Sequence, residues 1–369
     1  MKKLILALCL VLGLTACGEK KDAPQAGEKP TVKIGATLPM SGDSAEAGNS
    51  AATALKMILD DYNKKDLKYH YELIVEDNQL SPMKIATSTN KLINVDKVRA
   101  VISLWNTVVA AITDKNKVFS FNCSGDEKST TEGRYNFNNF PETLDDVKLL
   151  ADKLKKERVK TVAMFLDVSA MRIQYDTAAK YFAENTDIKV VFKEYFNPGE
   201  KDYRMAIAKA NELKPDMYLY SGFNPSIYIF MKQLKEITGD NKNVTTLGIF
   251  ADLPPKDRSI IEGLWYVDDN LDGTEELQKR LLSEYNILSQ SCTGNSVSNL
   301  EILINAYENA KVAEGEVIPS NEAVREWIFD NVKNFKTLGG VVSVQGDGLF
   351  ATKSEIKKMV NGKPVEVKE

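Results

Sequence analysis

Histidine, the commonest catalytic base, is nearly absent from this sequence. His70 is the single histidine. It stands in Tyr69–Asp77, where alternating Tyr71, Leu73 and Val75 predict a strand, far from any loop that could hold a Ser-His-Asp device. No G-x-S-x-G, H-E-x-x-H or P-loop pattern occurs. Chemistry on Asp or Glu alone stays open. The cysteines are Cys9, Cys17, Cys123 and Cys292, with no Cys-x-x-Cys among them, so neither a metal site nor a cofactor is expected. For Cys123 and Cys292 two buried free thiols are the plainer expectation. An exported pair can also form a disulfide, and sequence alone does not place the two within bonding distance.

The groups suited to binding rather than reaction lie in loops after apolar runs. Trp105-Asn106-Thr107-Val108 follows the strand 98–104 and opens a helix. A hydroxyl and backbone N–H groups at a helix start suit an anion, although Thr107 reads equally as a plain N-cap. Trp105 would stack on or wall off a ligand, or belong to a core. Asn122-Cys123-Ser124-Gly125-Asp126 follows the strand 118–121. Asp126 can only accept hydrogen bonds, which favours a cationic or hydroxylated group; the alternative is a helix cap or a surface carboxylate.

The N-terminus carries an address. Met1-Lys2-Lys3 precedes the uncharged apolar run Leu4–Leu14. That run is shorter than the roughly 20 residues a spanning helix needs and fits the h-region of a signal peptide. It ends in Leu14-Thr15-Ala16-Cys17-Gly18, which resembles the bacterial lipobox. The resemblance implies a lipid on Cys17 and cleavage just before it. Acyl chains contribute about 0.8 kcal/mol per buried CH₂, and stable anchoring takes more than one. Residues 18–30, GEKKDAPQAGEKP, have no large apolar side chain and read as a flexible tether. The chain beyond the tether exceeds the roughly 250–300 residues at which one core stops growing, so two lobes are expected. The formal charge of −4 becomes more negative by two once Lys2 and Lys3 leave. Mixed, mildly acidic charge leaves no footprint for nucleic acid.

Those lobes must position the loops. Val32–Leu38 reads as a strand ending in Pro39-Met40-Ser41-Gly42. Residues 46–63 carry apolar positions at helical spacing, and Pro82 sits at the start of the next helix, a usual place for proline. After residue 143 the rhythm returns: helices 144–156, 172–184, 202–212 and 225–238 alternate with strands 159–166, 188–195, 216–221 and 244–250, with a further strand at 263–267. Helices 274–285, 296–312 and 320–332 come next, then strands and a turn in the tail. Alternation of this kind predicts α/β architecture with parallel sheets covered on both faces and right-handed crossovers. Ligands then bind beyond the carboxyl ends of the strands, here in a cleft between lobes.

Several segments in order resemble the type I periplasmic solute-binding proteins of the leucine/isoleucine/valine class. They are Lys33-Ile-Gly-Ala-Thr-Leu-Pro-Met-Ser-Gly42 with Gly48; Glu76-Asp77-Asn78 with Pro82 and Ala86; Pro198-Gly-Glu-Lys-Asp-Tyr203; Tyr220-Ser-Gly-Phe223; and Gly339-Gly340, Gly346-Asp-Gly348 and Asn361-Gly-Lys-Pro-Val365. The resemblance implies two doubly wound parallel-sheet lobes joined by a three-strand hinge. Residues 1–16 would be the signal peptide and 17–30 the tether. Lobe 1 would be 31–142 plus 271–347, and lobe 2 would be 143–270 plus 348–369, with crossings near 141–144, 267–272 and 346–351. It implies an extracytoplasmic, lipid-anchored monomer that takes an amino acid or a related small carboxylate or amide to an ABC permease. The implied ligand-binding positions are Ser41, Trp105, Asn106, Thr107, Ser124, Gly125, Asp126, Met171, Phe223, Phe250 and Asp252. Phe223 falls where the family often has a covering Tyr. Phe250 falls at or beside its usual Glu, so the partner of a ligand ammonium would shift to Asp252 or Asp126, or be absent. The loop Asp167–Met171 lacks the usual Tyr-Gly step, for which Met171 or Tyr175 would stand in. A sensor subunit for a signalling partner is the rival reading, and genomic neighbours would separate the two; an enzyme on the same fold, or a transcription regulator without its basic helix-turn-helix, fits less well.

Overall fold

The alternating runs fold into two parallel sheets. A computed structural model describes residues 29–367 except 43, 127–130, 169–170 and 271–273; the leader, Cys17 and most of the tether lie outside the described residues. The first sheet has the order β2-β1-β3-β4-β5, built from β1 (Thr31–Leu38), β2 (His70–Asp77), β3 (Ala100–Leu104), β4 (Phe119–Cys123) and β5 (Asn136–Asn138). The second has the order β7-β6-β8-β9, from β6 (Thr161–Asp167), β7 (Lys189–Phe196), β8 (Met217–Ser221) and β9 (Val244–Thr245). Every pairing in both is parallel.

Because successive strand residues point to opposite faces, one strand feeds two cores. In β6, Ala163 and Phe165 join one core, while Val162, Met164 and Leu166 join the other. In β3, Ile102 and Leu104 face α1 (Ala45–Asn63) and α9 (Thr293–Asn309), and Val101 faces α2 (Pro82–Asn94) and α3 (Val108–Lys115). In the second lobe α4 (Thr143–Lys156) and α5 (Arg172–Asn185) cover one face, and α6 (Arg204–Glu212) and α7 (Ser226–Thr238) the other. The expected α/β class and two-lobed architecture are what is observed. The chain passes between lobes three times: before α4, between β10 (Trp265–Asn270) and α8 (Glu275–Tyr285), and between Ala351 and Lys353. Phe350 still packs in the first core, stacked near Phe121 and Phe137, which puts that last passage a few residues beyond 347.

Two expectations need correcting, and one is refined. The strand expected over 244–250 ends at Thr245, because Gly248 adopts φ +83° and the chain turns into a 3₁₀ segment, Ile249–Asp252. The strands and turn expected in the tail are there, but the tail strand β14 (Lys353–Val360) starts earlier than the sequence suggests; it pairs antiparallel with β10 and with β15 (Lys363–Glu366). Cys123 and Cys292 are not free thiols: they form a disulfide with Cα atoms 5.9 Å apart, tying the end of β4 to the start of α9.

Candidate functional site

Between the carboxyl ends of the two sheets lies a cavity of about 440 Å³, within the size range of small-molecule sites. Strand-end loops from both lobes wall it, and each is fixed by its own local hydrogen bonds.

The loop after β1 is held by Asp77, at the end of β2. Its carboxylate accepts from Met40 N (2.9 Å), Ser41 Oγ (2.5 Å) and Gln79 N (3.1 Å), while Gln79 Nε2 donates to Ser41 Oγ at 2.8 Å. Burial pushes the Asp77 carboxyl upward, but these donors outweigh it and hold it below the usual range. Ser41 lines the cavity with its proton already committed to Asp77. Gly48 lets α1 approach this loop: a Cβ there would stand 2.1 Å from Pro39 O, so any other residue would push helix and loop apart.

The loop after β3 carries Trp105, Asn106 and Thr107. Asn106 Oδ1 accepts from Val109 N at 3.2 Å, and Asn106 Nδ2 donates to Leu104 O at 3.0 Å. Asn106 therefore caps α3, and the side chain of Thr107 makes no capping bond, which leaves its hydroxyl at the cavity wall. Trp105 adopts φ +52°, a left-handed conformation costly for a bulky residue. Its backbone N donates to Cys123 O at 2.9 Å, so the disulfide-bonded end of β4 supports the turn. The Trp105 ring meets Phe223 of the other lobe at 4.7 Å between centroids and an interplanar angle of 36°. Phe223 packs against cores of both lobes.

The loop after β4 divides. Asp126 lines the cavity. Ser124 does not: it is fully buried and locked to Asn138, whose Oδ1 accepts from Ser124 N (3.0 Å) and whose Nδ2 donates to Ser124 O (2.8 Å). Gly125 is a meeting point of lobes. Its carbonyl accepts from Thr143 Oγ1 at 2.6 Å, and a Cβ there would stand 2.9 Å from Gln174 Cγ.

The family profile whose description reads "periplasmic binding protein" matches residues 31–353. The chain belongs to the periplasmic binding protein family. A leucine-, isoleucine-, valine-, threonine- and alanine-binding protein of Pseudomonas aeruginosa is 24% identical over 263 residues, 63% of this chain and 70% of that one. A leucine-binding protein of Thermotoga maritima superposes with a TM-score of 0.78 at 18% identity, covering 91% of this chain and 98% of the other. An ABC-transporter solute-binding protein of Rhodopseudomonas palustris, solved with benzoate, gives 0.79 at 16%, covering 91% and 95%. Family membership makes this an extracytoplasmic protein with a solute-binding role.

In the second lobe of this periplasmic binding protein the cavity is walled by Asp167, Val168, Ile173, Pro198, Gly199 and the Phe223–Ser226 turn. Met171 is turned into the lobe core. Tyr175 is fully buried; its hydroxyl donates to Tyr220 O at 2.6 Å and accepts from Leu247 N at 2.9 Å, which makes it a structural tie. Phe250 is fully buried edge-on to Tyr266 at 5.6 Å. The Gly248 turn that ends the strand early swings Phe250 inward and carries Asp252 to a different polar crevice beside Ser291 and Cys292. Phe250, Asp252, Met171, Ser124 and Gly125 thus stand outside the cavity, while Ser41, Trp105, Asn106, Thr107, Asp126 and Phe223 come together in it. Gln79, Leu80, Ile85 and Asp167 join them; Gln79, Leu80 and Asp167 stand at or just after a strand's carboxyl end, and Ile85 lies in the first turns of α2.

Asp252 Oδ1 accepts from Ser291 N at 2.7 Å, a bond from one lobe to the other. Burial raises its carboxyl from an ordinary 3.8 to about 7; the Ser291 N–H opposes the rise, Asp268 and Glu46 add to it, and Arg258 opposes it. Between about pH 4 and 7 the folded protein holds a proton that the unfolded chain has released, so stability falls as pH rises through that window. Asp252→Asn keeps an acceptor for Ser291 and removes the charge. Denaturant midpoints should show it more stable than the parent at pH 8, by on the order of 1 kcal/mol or more, and level with it near pH 4. An equal loss at both pH values would contradict a buried carboxyl that resists ionisation.

Proposed function

We propose that the protein captures an amino acid, or a related small carboxylate or amide, in the cleft between its lobes and delivers it to an ABC permease. The lobes are 31–142 with 271 to about 351, and 143–270 with the tail beyond, and the protein works as a monomer held near its permease by a lipid on Cys17. The observation that carries this reading is the cavity itself. Strand ends of both sheets converge on it, Trp105 and Phe223 supply an apolar wall, and Thr107 and Asp126 supply a hydroxyl and an acceptor. Closure of one lobe on the other would follow from ligand contacts to both.

A thermal-shift screen of amino acids, their amides and small organic acids tests this. A ligand present at about 100 times its Kd stabilises by about 2.7 kcal/mol, which for a protein of this size moves the melting temperature by several degrees. Mass spectrometry of the same preparation should find the lipid on an N-terminal Cys17. Calorimetric binding of sugars or metal ions alone would overturn the ligand class.

A further inference from the structure

A second contact between the lobes lies apart from the Trp105–Phe223 pair. Asp252, at the end of the 3₁₀ segment in the second lobe, is 6% exposed, and among the described residues its one hydrogen-bond partner is Ser291 N–H of the first lobe. It lines a polar crevice of about 120 Å³ to which both lobes contribute. Thr274, Gln278, Ser289, Gln290 and Asn295 face it there from the first lobe, all neutral. The titratable groups around it are Tyr266 and Asp268 of β10, Glu46 of α1 and Arg258. Lys357 of β14 shares the crevice and pairs with Asp268 at 3.0 Å and with Glu355 at 3.5 Å. Arg258 Nε donates to Leu253 O at 2.7 Å and its Nη1 to Gly362 O at 3.1 Å. With the lobes in this arrangement burial favours the neutral acid, Asp268 and Glu46 favour it further, and the Ser291 N–H and Arg258 oppose it without prevailing.

Parting of the lobes would draw Ser291 away from Asp252 and let water into the crevice. An ionised carboxylate gains far more from that water than a neutral acid does. We propose that Asp252 is an interlobe latch that closes with uptake of a proton, so that the cleft holds its solute more firmly in acidic than in alkaline surroundings. The latch is tied to the cleft wall: Ser291 precedes Cys292, Cys292 is bonded to Cys123, and Cys123 O holds Trp105 N at 2.9 Å. This inference rests on the reading of a cleft that two lobes close, and adds a control on the closing. The sign follows from a carboxyl raised to about 7 in the closed arrangement and ordinary, near 3.8, in water. Closure is aided below about pH 7 and loses that aid as pH rises through 7. Linkage of one proton raises the closed-to-open ratio about tenfold from pH 8 to pH 6.

Pulsed electron-spin distance measurement tests the latch on the ligand-free full chain. The labels ride on p-acetylphenylalanine in place of Met83 and Met205, so that no cysteine is touched. Those methionines are 76% and 73% exposed in the first turns of α2 and α6, one in each lobe. The expected result is a short interlobe distance that gains on the long one about tenfold between pH 8 and pH 6. Asp252→Asn, which keeps an acceptor for Ser291 and cannot ionise, should give a ratio independent of pH and no lower at pH 8 than the parent's at pH 6. His70→Asn, at the start of β2, should keep the parent's dependence; histidine is the other side chain that ordinarily titrates in this range. A parent ratio unchanged between pH 8 and pH 6, a dependence that survives in folded Asp252→Asn, or one that vanishes in His70→Asn would overturn the latch and leave solute capture to the thermal-shift screen. A ratio that responds as expected while no compound of that screen binds would uphold the latch and overturn the capture reading. Where Asp252→Asn fails to fold, the parent and His70→Asn profiles decide the matter.

Discussion

Cys123→Ala/Cys292→Ala is expected to lower the melting temperature by roughly 5–15 °C. The disulfide closes a loop spanning 169 positions. In the chain-entropy account the cross-link restricts the unfolded ensemble, by nearly 5 kcal/mol for a loop of about 100 residues, and removal of such bridges typically costs about 2–4 kcal/mol. For proteins of this size class each kcal/mol moves the midpoint by about 2–4 °C. The loss should not stop at stability. Cys123 O holds the backbone of Trp105, and Cys123 precedes the Ser124–Asp126 loop, so the bridge also steadies two segments of the cleft wall. Both sulfur positions are buried, and alanine leaves no unpaired polar group there. Calorimetry on the double variant, and on the parent unfolded with reductant, should give the same lowered midpoint. A variant melting within a degree of the oxidised parent would show that the bridge restricts nothing the fold does not already restrict.

That bridge marks where a sequence reading runs short. The repeating pattern of apolar strands and amphipathic helices is legible because each strand is buried on both faces and each helix on one. Strand ends and helix starts such as Pro82 come out nearly where they lie. Pairing of Cys123 with Cys292 is a fact about two segments far apart in sequence, and no local pattern encodes it. The site is legible by lobe. In the first lobe Trp105, Thr107 and Asp126 follow strands whose ends are visible, and they line the cavity. In the second, Phe250 and Asp252 take their expected places by counting from a strand that should reach 250. One glycine, Gly248, turns the chain earlier, and a rotation of that kind moves every following side chain to another face. Asp167 is in view as the head of a loop that departs from the family pattern; only the fold shows that it lines the same cavity as Asp126.

Trp105→Ala should produce the largest loss of binding of any single change in the wall. The ring is nearly fully buried, contributes to the first core, and meets Phe223 across the cleft. Truncating a buried Trp typically costs about 3–5 kcal/mol of stability; because one face already borders the cavity, about 3 kcal/mol is expected here. The loss of affinity should be about 2 kcal/mol or more, roughly thirtyfold, as for buried aromatic anchors at other binding surfaces. Trp105→Phe separates two contributions: it keeps a ring against Phe223 and loses the indole N–H, so it should recover most of the stability and only part of the binding. A double-mutant cycle with Phe223→Ala isolates the ring pair itself. Coupling of about 0.5–1.5 kcal/mol is expected for an aromatic contact of this geometry. In the ligand-bound protein the coupling should differ, because a body inserted between the two rings replaces their mutual contact with two contacts to itself. Equal coupling with and without ligand would mean that the ligand never enters between Trp105 and Phe223, and that these two rings join the lobes without taking part in recognition.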